Sequence, residues 1–206
     1  TVGHVLDNLD VKIQADGEIT VKGPSVFQGY YKDDKKTKEA FTEDGYFMTG
    51  DIGHIDEEGF LHITDRKKEM FKTSGGKYVA PQVLENLAKG SKFIEQIMVV
   101  GDGEKMPCAL VQPDYAFAKL WAERKHLKIG KTPEEMANSP ELKARIMKDI
   151  NLLNATLGKW EQIKKIELTP TLWTIEDGLL TPTMKLKRKA VKEKFFNLYE
   201  KLYDRA

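Results

Sequence analysis

Thr64–Glu85, reading TDRKKEMFKTSGGKYVAPQVLE, is the stretch on which the reading of the fold turns. Asp65-Arg66-Lys67-Lys68 places four charges in succession where a strand would keep alternating. A short strand over 69–72 then leads to Ser74-Gly75-Gly76-Lys77. Val79-Ala80-Pro81 follows, and Pro81 suits the first turn of a helix running to about Lys89, with Val83, Leu84 and Leu87 on its apolar side. Two glycines between strand and helix let the backbone take positive φ and come close to a ligand. Taken alone, the segment also reads as a solvated basic hairpin with no ligand at all. The flanking sequence decides between the two.

Composition narrows the classes. The chain has 206 residues, enough for one large domain or two small ones. Lys+Arg 33 against Asp+Glu 32 leaves a net charge of +1, so no global field points to nucleic acid, and no nucleic-acid partner is expected. Hydrophobic residues make up 40% without a long apolar run, which argues against a membrane span. The start, TVGHVLDNLD, lacks the basic and apolar regions of a secretory signal. A single cysteine, Cys108, rules out an internal disulfide framework, reads as a small buried hydrophobe and fits a reducing, cytoplasmic setting. His4, His54, His62 and His126 show no ligand spacing, so no metal is assigned to them.

Two further blocks flank the opening stretch. Upstream lies Gly45-Tyr46-Phe47-Met48-Thr49-Gly50-Asp51, and far downstream lies Leu180-Thr181-Pro182-Thr183-Met184-Lys185-Leu186-Lys187-Arg188. In this order the three blocks resemble the adenylate-forming superfamily of acyl-CoA synthetases, luciferases and peptide-synthetase adenylation domains. The resemblance implies that Asp51 and Arg66 bind the nucleotide, Asp51 through the vicinal ribose hydroxyls. It places Lys68 at the hinge between two domains, and Lys185 at the reacting carboxylate as the catalytic lysine. The backbone of Ser74, Gly75 and Gly76 would line the path of CoA, where a passing chain tolerates no Cβ. The family usually carries Gly before this Arg and before this Lys; here Asp65 and Met184 stand there, as in its long-chain fatty acyl branch.

The expectation is therefore an α+β chain. Residues 1–65 are read as a small β-rich subdomain ending a large N-terminal AMP-binding domain. Residues 66–206 are read as a compact C-terminal lid with a helical insertion at about 113–158. The resemblance implies a long-chain fatty acid–CoA ligase acting on fatty acid, ATP and CoA. The family's phosphate loop and its Thr-Glu motif for ATP and Mg2+ are not found in the chain, so Mg2+ ligands and the missing N-terminal domain are expected upstream, and the piece alone is expected to be inactive. A ligase for another carboxylic acid remains open. So does a basic module binding nucleic acid or a membrane surface through 185–194, which would add peripheral membrane association.

Local signals fill in the rest. Val2–Leu6, Val11–Ile13 and Glu18–Lys22 alternate as strands, with Asp16-Gly17 as a hairpin turn. Lys35–Phe41 reads as a charged helix, and strands are expected over 93–100, 108–112 and 162–168. Asp114 opens a helix carrying Phe117, Leu120 and Trp121. Thr132-Pro133-Glu134-Glu135 is a capping box. Ser139-Pro140 opens a helix with Leu142, Ile146, Ile150, Leu153 and Leu157 at helical spacing. From Lys187 one basic amphipathic helix is expected, with Val191, Phe195, Leu198 and Leu202 on the face that docks on the lid sheet.

Overall fold

The computed structural model describes residues 1–205, which form two compact units, one over 1–70 and the other from Phe71 onward. The first unit is an antiparallel sheet of five strands: β1 (Gly3–His4), β2 (Asp10–Ile13), β3 (Glu18–Lys22), β4 (Phe47–Ile55) and β5 (Phe60–Arg66). Their order across the sheet is β1-β5-β4-β3-β2. The β2–β3 hairpin closes at Asp16-Gly17, where Gly17 has φ +86°, the left-handed conformation such a turn needs. A short helix, α1 (Asp34–Ala40), is capped by Asp33, whose carboxylate accepts from the Lys36 amide at 2.9 Å. Phe27, Phe41 and Phe47 pack with ring centroids 5.1 to 5.6 Å apart. Of the apolar side chains in 1–70, only Ile19 and Tyr46 are buried.

The second unit carries the larger core. A two-stranded ribbon, β6 (Phe71–Lys72) with β7 (Tyr78–Val79), leads into α2 (Pro81–Ala88). A three-stranded sheet follows, β8 (Ile94–Val100) antiparallel to β9 (Cys108–Pro113), with β10 (Ile166–Leu168) parallel on the other side of β9. Between β9 and β10 come α3 (Tyr115–Lys125), α4 (Pro133–Ala137) and α5 (Pro140–Asn154). Side chains of a strand alternate between its two faces. Ile97, Val99, Ala109 and Val111 accordingly enter one core with Leu142, Ile146 and Ile150 of α5. Met98, Cys108 and Leu110 enter a second core with Trp173, Leu180 and the C-terminal segment.

The caps form as read. Asp114 accepts from the Phe117 amide at 2.9 Å, and Thr132 and Glu135 make the reciprocal capping box. Four local expectations change. The glycine turn is followed by β7 before the helix starts, so it closes a hairpin. The inward stripe of α2 is Pro81, Leu84, Glu85 and Ala88, leaving Leu87 49% exposed, because residues three and four apart share a helix face. The expected strand over 162–168 shrinks to three residues, since the Asn154 side chain takes the place of a strand partner. It donates to the Ile163 carbonyl and accepts from the Ile163 amide, both at 2.9 Å. The C-terminal helix divides into α6 (Arg188–Lys194) and α7 (Phe196–Leu202) at Phe195, which turns into the second core beside Trp173. Val191, Phe195 and Leu202 are buried there, so the apolar face is spent on the core. No described helix is long and apolar enough to cross a membrane.

Candidate functional site

On the first unit, Asp51 and Arg66 are register partners on β4 and β5. Arg66 Nη1 donates to Asp51 Oδ1 at 2.5 Å. Asp51 Oδ2 has no donor among the described residues, so it stays open to hydroxyl donors. The approach to Asp51 is shaped by Gly50, at φ +72°, and by a register shift between Ile52 and Gly53. At Gly53 a Cβ would lie 2.1 Å from the His62 carbonyl, so only glycine fits the strand crossing. Glu18, 4% exposed, holds the block from below. It accepts from the Gly50 amide at 2.9 Å and from Lys67 Nζ at 2.6 Å. Lys67 also reaches Asp16 at 2.7 Å, and these two carboxylates push its ammonium pKa up.

Lys68 is different from its neighbour. Arg66 O accepts from the Glu69 and Met70 amides at 2.8 and 3.1 Å, so Lys68 sits inside a turn, exposed, with no ion-pair partner among the described residues. The unit boundary falls two residues later, between Met70 and Phe71.

On the second unit, the hairpin over 73–77 is closed by the Thr73 amide on the Lys77 carbonyl at 2.9 Å and the Gly76 amide on the Thr73 carbonyl at 2.8 Å. The Ser74 amide donates to the Glu104 carbonyl at 2.8 Å, tying the turn to the β8–β9 connection. Gly76 needs glycine for its φ of +79°. Gly75 does not: its φ is not left-handed, and a Cβ would come no closer than 3.9 Å to Thr73 Oγ1. Nothing among the described residues accounts for a glycine at 75.

Lys185 stands on a second turn, where the flanking Leu180 and Leu186 form an isolated bridge. The Thr181 amide donates to the Lys185 carbonyl at 2.8 Å, and Thr181 Oγ1 accepts from the Lys185 amide at 3.0 Å. The Lys185 side chain is exposed and without an ion-pair partner among the described residues. Met184 is held at φ +60°, a conformation that costs a residue with a Cβ about 1–2 kcal/mol. This accounts for the glycine usual at that position in the resembled family.

A bidentate ion pair joins the two turns of this unit. Arg188, three residues after Lys185, donates from Nη2 to both oxygens of Glu85 at 2.8 and 2.7 Å. Its Nη1 reaches the Val99 carbonyl at 3.2 Å, while the Val99 amide donates to Glu85 Oε1 at 2.7 Å. Glu85 belongs to the helix that begins four residues after Lys77, so the glycine hairpin and the Lys185 turn share one anchor. Glu18, Glu85 and Arg188 were not singled out by the sequence reading. The signal for Glu85 was present: a carboxylate on the buried stripe of a short amphipathic helix must find a cation.

His54 and His62 stack with ring centroids 4.9 Å apart, and His62 Nε2 lies 2.7 Å from Asp56 Oδ2. Among the described residues no three His, Cys, Asp or Glu come together as metal ligands.

The sequence of residues 69–206 matches the family described as the AMP-binding enzyme C-terminal domain. The chain belongs to this family. Outside the matched span, similarity runs further. The AMP-binding C-terminal domain and the residues before it are together 42% identical over 205 residues to the long-chain-fatty-acid–CoA ligase FadD15 of Mycobacterium tuberculosis, covering 100% of this chain and 34% of that protein. Long-chain-fatty-acid–CoA ligase 6 of Rattus norvegicus is 42% identical over 193 residues, covering 92% of this chain and 27% of the rat protein. The chain thus spans about a third or less of the length of these relatives. Among solved structures, the A domain of carboxylic acid reductase from Segniliparus rugosus, in complex with AMP and a co-purified carboxylic acid, superposes with a TM-score of 0.72 at 27% identity, covering 91% of this chain and 28% of that one. The mixed α+β architecture is that of adenylate-forming enzymes.

Proposed function

We propose that this chain is the lid and adjoining β-subdomain of an ATP-dependent long-chain fatty acid–CoA ligase, working in the cytoplasm. One observation carries the reading: the similarity to long-chain ligases runs along the whole chain. The open groups fit it. They are Asp51 Oδ2, the exposed ammonium of Lys185, and a glycine at 75 with no internal reason to be one. The thin core of residues 1–70 fits the end of a larger domain, because so small a sheet buries too little apolar surface to stand alone. The domain join is proposed at 65/66, with Lys68 as hinge. Its side chain is the first in 66–68 not anchored to a carboxylate of the sheet.

The reaction has two halves. A fatty carboxylate oxygen attacks the α-phosphorus of ATP and pyrophosphate leaves, giving acyl-adenylate. The CoA sulfur then attacks the acyl carbonyl and AMP leaves, giving the thioester. In the first half Asp51 and Arg66 orient the nucleotide through its ribose. Lys185 places a point charge against the negative charge that builds between carboxylate and phosphate. In the second half the lid turns at Lys68 and presents the Ser74-Gly75-Gly76 backbone to the pantetheine arm. No covalent enzyme intermediate is required; positioning and charge stabilisation suffice. Mg2+ fits no constellation of described residues, so its ligands are assigned to the rest of the protein, together with the acyl pocket. The test is thioester formation from palmitate, ATP and CoA by the full-length protein, with the 206-residue chain as control. Product from the full-length protein alone is the expected result. Turnover of other carboxylates but not of any fatty acid would overturn the substrate assignment.

A further inference from the structure

The segment 101–107, reading GDGEKMP, joins β8 to β9 and supports the glycine hairpin. Its backbone reaches the ribbon twice. The Gly103 amide donates to the Lys72 carbonyl at 2.9 Å, and the Glu104 carbonyl accepts from the Ser74 amide at 2.8 Å. At Gly101 a Cβ would lie 2.7 Å from the Phe71 ring, so the segment enters against β6 with no room for a side chain. Gly103 turns it, at φ +69°. Glycines at 101 and 103 make the segment loose by its own sequence, so its position is set from outside. Three side chains, from α7 and the residues just after it, set it. Tyr203 Oη lies 3.2 Å from the Val100 carbonyl and 3.4 Å from the Met106 carbonyl, one near each end of the segment. Tyr199, only 5% exposed, donates from Oη to Glu104 Oε1 at 2.9 Å. Arg205 Nη2 donates to the same oxygen at 2.8 Å, and its Nη1 lies 3.4 Å from Oε2. The guanidinium also lies 5.7 and 5.2 Å from the Tyr199 and Tyr203 ring centroids, so the three side chains form one grip. Burial by itself would raise the Glu104 carboxyl pKa, yet Arg205 and Tyr199 hold it below its ordinary value. Asp102 and Lys105, the other charged residues of the segment, are exposed and have no ion-pair partner among the described residues.

Glu104 therefore faces two ways. Its carboxylate binds side chains 95 and 101 positions further along the chain, while its carbonyl holds the Ser74 amide. Hydrogen bonds to an ionised group are shorter and stronger than neutral ones, so the held side chain fixes the direction of its own carbonyl. We infer that Glu104, gripped by Tyr199 and Arg205, is a positioning residue that sets where the Ser74-Gly75-Gly76 backbone stands. The inference rests on the ligase reading for what passes the hairpin, and it gives the second half-reaction a support that the first does not share. Glu85 and Arg188 anchor both turns of the unit, whereas Glu104 reaches the hairpin alone. A misplacement of about 1 Å at such a point costs about a hundredfold in rate.

The experiment uses the full-length protein as wild type, Glu104→Ala, Glu104→Gln and Arg205→Ala. Two rates are followed: thioester formation from premade palmitoyl-adenylate and CoA, and palmitate-dependent exchange of pyrophosphate into ATP. For Glu104→Ala the expected result is a kcat/KM for CoA lowered about ten- to a hundredfold, with pyrophosphate exchange within about twofold of wild type. Arg205→Ala shifts thioester formation in the same direction. Glu104→Gln restores part of it, because an amide oxygen still accepts from Tyr199 and Arg205. Unchanged thioester formation in Glu104→Ala overturns the inference, and so does an equal slowing of both halves, which marks a lid loosened as a whole. Arg205→Ala behaving as wild type, or Glu104→Gln no faster than Glu104→Ala, also overturns it. Amide hydrogen exchange reads the same point without turnover. The Ser74 amide should lose its proton about tenfold faster in Glu104→Ala, with the amides of 181–187 unchanged. If wild type forms no thioester, the ligase reading fails separately and hydrogen exchange decides. Faster loss confined to the hairpin supports the anchoring by Glu104; no change, or a change shared by 181–187, overturns it.

Discussion

Arg188→Met tests the internal frame of the lid most sharply. Glu85 is 7% exposed and accepts from Arg188 on both oxygens and from the Val99 amide. Removing the guanidinium leaves a buried carboxylate stripped of its bidentate cation. Breaking one side of a buried ion pair costs about 3–5 kcal/mol. For a unit of this size one kcal/mol shifts the midpoint by about 3–4 °C, so the thermal transition of the second unit should fall by about 10–20 °C. The double variant Glu85→Leu/Arg188→Met removes the stranded charge and leaves mainly the Val99 amide without its acceptor, a cost of about 1–3 kcal/mol. It should therefore recover at least half of the loss. Differential scanning calorimetry of the wild type, both single variants and the double variant closes the cycle. A fall below about 3 °C for Arg188→Met would refute the reasoning, as would a double variant as unstable as the two singles added together.

Three other outcomes follow from the same geometry. Gly75→Ala should leave stability within about 0.5 kcal/mol, since the added methyl comes no closer than 3.9 Å to Thr73 Oγ1, while slowing thioester formation and sparing pyrophosphate exchange; equal slowing of both halves would count against the close-approach reading. Met184→Gly should be neutral or stabilising, whereas Met184→Val should cost about 1–2 kcal/mol, because a β-branched side chain tolerates φ +60° poorly; chemical denaturation reads both. Asp44 is held at a pKa of about 2, below its ordinary 3.8, by the Thr42 hydroxyl and then Lys12. A depressed carboxyl adds stability above its unfolded pKa and loses it as pH falls through the folded one, so its contribution fades between about pH 4 and 2. Carbon-detected NMR titration should show that midpoint and its rise in Thr42→Val.

Much of the fold was legible because its signals are local. The Asp114 cap, the Thr132 box and the Asp16-Gly17 turn each involve residues within four positions. The three blocks were legible as types of loop: two turns and a strand end that leave polar groups outward. The Asp51–Arg66 pairing follows once β4 and β5 are neighbours, since the blocks sit at matching depth. What was hidden depends on distant partners. Arg188 and Glu85 are 103 positions apart, and nothing near either residue names the other. Phe195 breaks a helix that its own sequence would continue, because Trp173 and Val191 offer its ring more burial than a straight helix would. Asn154 replaces a strand partner with a side-chain amide, a substitution that hydrophobic periodicity does not register.

The central claim is that one lid serves two half-reactions through two different turns. It is tested most directly by the full-length protein with Lys185→Ala, following palmitate-dependent exchange of pyrophosphate into ATP and, separately, thioester formation from premade palmitoyl-adenylate and CoA. The account predicts loss of exchange with the second half retained. Exchange that survives the substitution intact would contradict it, leaving Lys185 as one more surface charge.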